Sequence, residues 1–256
     1  MNCIVVDIGN TNIKVGLSRS GRITRVARLP VGTRNRDNID EALNAALGKT
    51  RIEGAVMSSV VPARTGVWRT RIKKLIGHHP LLVEHGVKLG LRISHSKPAS
   101  LGGDRLANAS GACARYGAPV IVADFGSALT FDAVARKCDY MGGVIAPGLP
   151  LMTEYLSERT ALLPQVRWAG PCGTVGASTA GAIRIGARIG YRGIVREIVQ
   201  HLCEDHRLRG ASLCATGGYA KLALSDLDMP FHHDPHITLF GLSHIFELNV
   251  VNTESS

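Results

Sequence analysis

Three short stretches of this chain carry residues whose types and spacing suit phosphoryl chemistry. In the first, Ile4-Val5-Val6 leads to Asp7-Ile8-Gly9-Asn10-Thr11-Asn12-Ile13-Lys14, an apolar strand, a tight polar turn and a returning strand. Backbone amides and short amide or hydroxyl side chains in such a turn can surround a phosphate, and the aspartate stands where a metal ion would need a carboxylate. The same plan returns at residues 121–134, around Asp124-Phe125-Gly126-Ser127-Ala128. Between the two lies Leu101-Gly102-Gly103-Asp104-Arg105, a glycine-rich loop opening a helix. Its aspartate can serve as a base while the adjacent guanidinium holds an anion. Two copies of one hairpin imply two related halves facing one nucleotide.

The elements that must position these residues follow from local pattern. A short strand is expected over residues 22–29, a helix over 38–47, where Ile39, Ala42, Leu43, Ala46 and Leu47 have helical spacing, and a strand over 54–61 ending at Pro62. Residues 66–76 read as an amphipathic helix and 80–83 as a short strand, followed by a polar passage over 92–98. Beyond the second hairpin, Gly142, Gly143 and Gly148 permit close backbone approach. Helices are expected over 149–159, 178–201, 219–224 and 239–248, with a strand over 212–215. Gly181, Gly186 and Gly190 give the long helix a stripe suited to close packing. The expected domains are residues 1–116 and 117–256, with the last helix free to pack back on the first half.

Composition narrows the class. A chain of 256 residues with 45% hydrophobic content and 29 glycines fits a turn-rich α/β protein. No apolar run approaches the roughly 18 residues of a membrane span, and no signal sequence is read at the start, so the cytoplasm is the expected compartment. The six cysteines, Cys3, Cys113, Cys138, Cys172, Cys203 and Cys214, contain no C-x-x-C pair and are expected to be reduced. A net charge of +10 points to anionic ligands. Arg184, Arg188, Arg192 and Arg196 recur every four residues, a solvated helix face rather than a nucleic-acid surface, since aromatic residues make up only 5% of the chain and do not interleave with them. Gly48-Lys49-Thr50 has the ending of a Walker A loop, but Leu43 stands where its first glycine is required. His232-His233-Asp234-Pro235-His236 is read as a polar surface loop, because the proline interrupts any alignment of the imidazoles on a metal.

Taken in order, these motifs resemble the type III pantothenate kinases, within the acetate and sugar kinase, heat-shock chaperone and actin superfamily. The resemblance rests on Asp7-x-Gly9-Asn10-Thr11-x-x-Lys14, Gly102-x-Asp104-Arg105, Asp124-x-Gly126-Ser127-Ala128-x-Thr130, Gly142-Gly143-x-Ile145-x-Pro147-Gly148 and Thr179. It implies an α/β fold of two ribonuclease H-like domains with a nucleotide cleft between them. The implied reaction is ATP-dependent phosphorylation of pantothenate, the first step of coenzyme A synthesis. By the same resemblance Asp104 is the base, and Gly102, Gly103, Arg105, His95 and Thr179 bind substrate, with Thr179 reaching it from the partner chain of a homodimer. Residues Asp7, Ile8, Gly9, Asn10, Thr11, Asn12, Ile13, Lys14 and Ser127 would contact ATP. Asp7 would act on Mg²⁺ directly or through water, and Asp124 on a monovalent cation, K⁺ or NH₄⁺.

Local readings compete with several of these roles. Asp104 at a helix start has the type of an N-cap, Thr179 likewise, and Lys14 that of a solvated strand lysine. Two departures stand out: Ser127 replaces the usual threonine and keeps the hydroxyl, whereas His95 replaces a tyrosine with a shorter, titratable ring. The competing functions are a non-catalytic regulator of the same fold binding nucleotide or DNA, favoured by the +10 charge, and a superfamily kinase with another acceptor.

Overall fold

A computed structural model describes residues 1–33, 35–168, 173–225 and 227–250. Cys172, expected as a reduced thiol, lies outside the described residues. In chain order the first elements are β1 (Asn2–Ile8), β2 (Asn12–Arg19), β3 (Arg22–Pro30), α1 (Arg36–Leu47), β4 (Gly54–Ser59), α2 (Pro62–Ile76), β5 (Leu81–Leu82), β6 (Arg92–Ile93) and α3 (Gly103–Tyr116). They are followed by β7 (Val120–Phe125), β8 (Ala128–Ala135), β9 (Asp139–Pro147), α4 (Leu151–Arg159), α5 (Thr179–Glu204), β10 (Ser212–Thr216), α6 (Ala220–Leu224), β11 (Phe231–His233) and α7 (Ile237–Val250). Two compact units result. One holds Met1–Ala118, Val134–Gly142 and the segment from His236; the other holds Pro119–Ala133 and Gly143–Pro235.

The first unit is built on a sheet of order β3-β2-β1-β4-β5. β1 pairs antiparallel with β2 and parallel with β4. After Asn2 every residue of β1 is buried, because helices cover both faces of the sheet and strand alternation feeds both. Ile4, Val6 and Ile8 pack with Ile39 and Leu43 of α1 and Trp68 and Ile72 of α2. Cys3 and Val5 face the other way, onto Leu106 of α3 and Leu239 and Leu242 of α7. The helix ends are marked locally: the Asn35 side chain accepts from the Asp37 amide to start α1, and α2 opens on Pro62 and stops at Gly77, whose φ is 87°.

α3 and α7 cross at backbone contact. A Cβ on Gly111 would lie 2.8 Å from the Ile237 carbonyl oxygen and 3.0 Å from the Gly241 nitrogen, and one on Gly241 would overlap the Ala107 carbonyl. The hold on α3 is strengthened at its far end by Arg115, whose guanidinium lies 3.8 Å above the Phe240 ring.

In the second unit the strands run β11-β10-β7-β8-β9, with β10 parallel to both β7 and β11. The long helix α5 buries Tyr191, Val195 and Val199 against Ile121, Phe125 and Leu213.

Four readings of the sequence are corrected by pairings distant in the chain. Within the polar passage, Arg92-Ile93 form β6 because they pair with Asp139 and Tyr140, helped by Arg92 and Ser94, which donate to the Asp139 carboxylate at 2.7 and 2.6 Å. The glycine segment 141–148 lies largely in β9. His232 and His233 belong to β11, and Asp234 is buried with its amide donating to the Ala215 carbonyl at 2.8 Å, so this stretch is a sheet edge rather than a loop. Cys113 and Cys138 are joined in a disulfide, their Cα atoms 6.1 Å apart, because α3 and the turn into β9 meet at a separation that such a bond requires. Among the described residues Cys3, Cys203 and Cys214 are not in disulfide bonds.

The helix crossing gives a direct test. Gly111→Ala is expected to destabilise the protein by about 1–3 kcal/mol through overpacking. Gly66→Ala in α2, where a Cβ meets nothing within 4 Å, is expected to stabilise it by about 0.5–1 kcal/mol. Urea denaturation of the two variants reads both signs.

Candidate active site

Asp7 sits one residue before the end of β1 and is only 7% exposed. Its Oδ1 accepts a hydrogen bond of 2.9 Å from the Ser58 hydroxyl on the parallel neighbour β4. Its Oδ2 lies 4.0 Å from the Lys14 ammonium, on the antiparallel neighbour β2. Lys14 is paired in register with Asp7 and its side chain is largely buried, so it is not a solvated strand lysine. The turn between the strands is closed by the Gly9 amide donating to the Asn12 carbonyl at 3.0 Å. This leaves Asn10, Thr11 and Asn12 exposed at its tip. Ile8 and Ile13 point into the core, so only their backbone is available to a ligand.

The start of α3 is packed against the same end of the sheet. A Cβ on Gly103 would stand 2.6 Å from the Val83 carbonyl oxygen and 3.3 Å from Ser58 Cβ. Ser58 therefore touches Asp7 through its hydroxyl and faces Gly103 with its carbon. Gly102 is the N-cap of α3 without a side-chain capping bond, and Asp104 follows inside the first turn, accepting from the Arg105 amide at 2.8 Å. Asp104 is thus not the cap. A Cβ on Gly102 would come within 2.5 Å of Asp104 Oδ1, so the glycine clears space for this carboxylate. A cleft of about 510 Å³ runs along Gly102 and Gly103, bounded by Ser59, Thr65, Glu84 and His85 among others. His95 is half-buried beside Gly142, where a Cβ would approach its ring to 3.3 Å. The Lys97 amide donates to His95 Nδ1 at 3.1 Å.

In the second unit Asp124 occupies the corresponding place near the end of β7. Thr216 stands beside it on the parallel strand β10, as Ser58 stands beside Asp7. The Thr216 hydroxyl is fully buried and has no hydrogen-bond partner among the described residues. Asp124 also lies close to Gly217, where a Cβ would fall 2.5 Å from its Oδ1 and φ is +98°. Burial, and then the charge of Asp124, push the Tyr191 hydroxyl well above the usual phenol range. The turn that follows is tighter than the first, with the Gly126 amide donating to Ala128 O at 3.1 Å, and Ser127 is exposed at its tip. Thr179 is the first residue of α5 and is exposed; Ser178 is the cap, accepting from the Gly181 amide at 3.1 Å.

The structure thus brings Asp7, Lys14, Gly102 and Gly103 together through Ser58 in one unit, which also carries Asp104, Arg105 and His95. Asp124, Ser127 and Thr179 belong to the other. Among the described residues no group of three or more His, Cys, Asp or Glu side chains is arranged to hold a metal, the His232–His236 stretch included.

The family description of type III pantothenate kinase matches residues 3–201. The chain belongs to this family. It is 41% identical to the type III pantothenate kinase of Akkermansia muciniphila over 250 residues, covering 98% of this chain and 100% of that one. It is 35% identical to the Geobacter sulfurreducens type III pantothenate kinase, covering 96% and 98%. Among solved structures, this type III pantothenate kinase is similar in fold to a Campylobacter jejuni protein described as a conserved putative Baf family transcriptional activator. The TM-score is 0.63 at 18% identity, over 97% of this chain and 99% of that one. A ROK family glucokinase from Streptomyces griseus, solved with glucose and AMPPNP, matches with TM-score 0.52 at 16% identity, over 96% and 99%. The fold is that of two-domain ribonuclease H-like kinases, as the resemblance implied. No helix among the described residues is long and apolar enough to cross a membrane.

Sequence reasoning missed Ser58 and Thr216. The available signal was that the strands 54–59 and 212–216 each end in a hydroxyl residue before a turn. Ser58→Ala in this type III pantothenate kinase removes the hydroxyl donor to a buried carboxylate. It is expected to cost about 1–3 kcal/mol in urea denaturation.

Proposed function

We propose that this chain transfers the γ-phosphoryl group of ATP to the primary hydroxyl of pantothenate, giving 4'-phosphopantothenate and ADP for coenzyme A synthesis. The observation that carries the reading is the Ser58 junction, which sets the loop before Asp104 against the strand end that holds Asp7. An acceptor lying along Gly102 and Gly103 would present its hydroxyl to Asp104. Asp104 takes the hydroxyl proton as the oxygen bonds to phosphorus, and the bond from phosphorus to the β–γ bridging oxygen breaks, leaving ADP. Arg105 holds the pantothenate carboxylate, and His95 and Thr179 bind the substrate with it. The exposed tip Asn10-Thr11-Asn12, the backbone of Ile8, Gly9 and Ile13, and Ser127 receive the phosphates. Lys14 adds a positive charge beside Asp7 where negative charge gathers.

The residues present fit the two cations. Asp7 would hold Mg²⁺ directly or through water, consistent with an ion that keeps most of its waters and takes one or two carboxylates. Asp124 would hold K⁺ or NH₄⁺, and the buried unpartnered oxygen of Thr216 beside it in the sheet is a further donor. When bound, the cations offset the charge on the transferring group.

The two domains divide at residues 116 and 117 in this reading, the chain acts in the cytoplasm, and it works as a homodimer. Ala182, Gly186, Ile189 and Gly193 share one face of α5, at the spacing of helical neighbours. Ile189 is 55% exposed, and a Cβ at Gly186 or Gly193 would meet nothing within 4 Å. A second helix can approach closely there, and Thr179 begins the same helix.

Purified protein with ATP, Mg²⁺ and K⁺ is expected to form ADP only when pantothenate is added, and to lose activity when K⁺ is replaced by Na⁺. Asp104→Asn is expected to lower kcat by about 10²–10⁴-fold with ATP affinity kept. A fully active variant would remove Asp104 from its role. In sedimentation, Ile189→Glu is expected to convert a dimer into a monomer; an unchanged mass would place the interface elsewhere.

A further inference from the structure

Arg64 lies in the first turn of α2 and is half-buried. Two other arginines of this unit are paired with carboxylates, Arg71 with Asp40 and Arg92 with Asp139. Among the described residues no carboxylate pairs with Arg64. Arg64 borders a cleft of about 470 Å³ that is also lined by Asn10, Val31, Gly32, Val61 and Ala63, with no acidic residue among them. Asn10 belongs to the exposed tip of the first hairpin. The opposite wall is tied to that tip, because the Val31 amide donates to the Thr11 carbonyl at 2.9 Å. The cleft therefore joins the exposed tip of the first hairpin to Arg64, an arginine with no carboxylate pair among the described residues. An arginine fork of this kind binds phosphoryl oxygens by charge-assisted hydrogen bonds.

We infer that Arg64 is a nucleotide-binding residue that engages the terminal phosphates of the ATP held by the Asn10–Asn12 turn. The inference rests on the kinase reading above, and it assigns to α2 a second cation at the hairpin, in addition to Lys14. Arg64 binds the donor and takes no proton, so its removal should act on ATP and leave the acceptor untouched.

The test compares wild type, Arg64→Ala and Arg64→Lys as full-length protein by calorimetric titration with ATP and with AMP, and by initial rates. For Arg64→Ala the ATP Kd and KM are expected to rise about tenfold or more, a fold-change fitting loss of a charge-assisted contact. AMP affinity and the KM for pantothenate should stay within twofold, and Arg64→Lys should recover part of the loss. An ATP Kd within twofold of wild type overturns the inference. Equal losses for ATP and AMP also overturn it, since they indicate a disturbed fold or an adenosine-side role. If wild type binds ATP but makes no ADP with pantothenate, the kinase reading fails while the ratio of ATP affinities still decides the role of Arg64.

Discussion

The site depends on one close approach: the first residues of α3 lie against the ends of β4 and β5 with no side chain between them. Gly103 is what allows it, since a Cβ there would meet the Val83 carbonyl at 2.6 Å. The opposite end of α3 is held by a second such contact, Gly111 on Gly241. A helix pinned by backbone at both places cannot slide or rotate without losing dense packing. Asp104, one residue inside the helix, inherits that precision. Rigid placement of this sort is what the general-base role proposed for Asp104 would require, because misplacement by an ångström costs orders of magnitude in rate.

The two hairpins are alike in plan and differ in electrostatics. Each ends a strand with aspartate, and each aspartate has a hydroxyl residue beside it on a parallel strand, Ser58 for Asp7 and Thr216 for Asp124. In the first copy the return strand supplies Lys14, 4.0 Å from the carboxylate. In the second, β8 reads Ala-Leu-Thr-Phe-Asp-Ala-Val-Ala and contains no lysine or arginine. The first copy thus has a fixed ammonium on its return strand that the second lacks.

Much of this was legible in the sequence because it is local. The hairpins, the glycine-rich entry to α3 and the helical periodicities all lie within windows of a dozen residues. What escaped is non-local. Ser58 gains meaning only when β4 is laid beside β1, and Thr216 only when β10 is laid beside β7. Arg92-Ile93 becomes a strand through Asp139 and Tyr140, and His232-His233 through Cys214 and Ala215. Cys113 and Cys138, 25 residues apart, have no spacing signature, so a reduced pair was the natural reading until their Cα atoms were found 6.1 Å apart. Lys14, Asp104 and Thr179 each carried two local readings. The fold decided the structural half of each: the Asp7 ion pair for Lys14, and the cap falling on Gly102 rather than Asp104 and on Ser178 rather than Thr179.

The His95 replacement can be judged from its hydrogen bond. Because the Lys97 amide donates to Nδ1, that nitrogen is an acceptor, and the neutral ring carries its proton on Nε2. A tyrosine hydroxyl would both donate and accept at the end of a longer lever. This imidazole, fixed by one nitrogen and backed by Gly142, offers a single donor closer to the backbone. In the substrate-binding role proposed for it, His95 would offer the acceptor one hydrogen bond from Nε2, without the reach of a phenol.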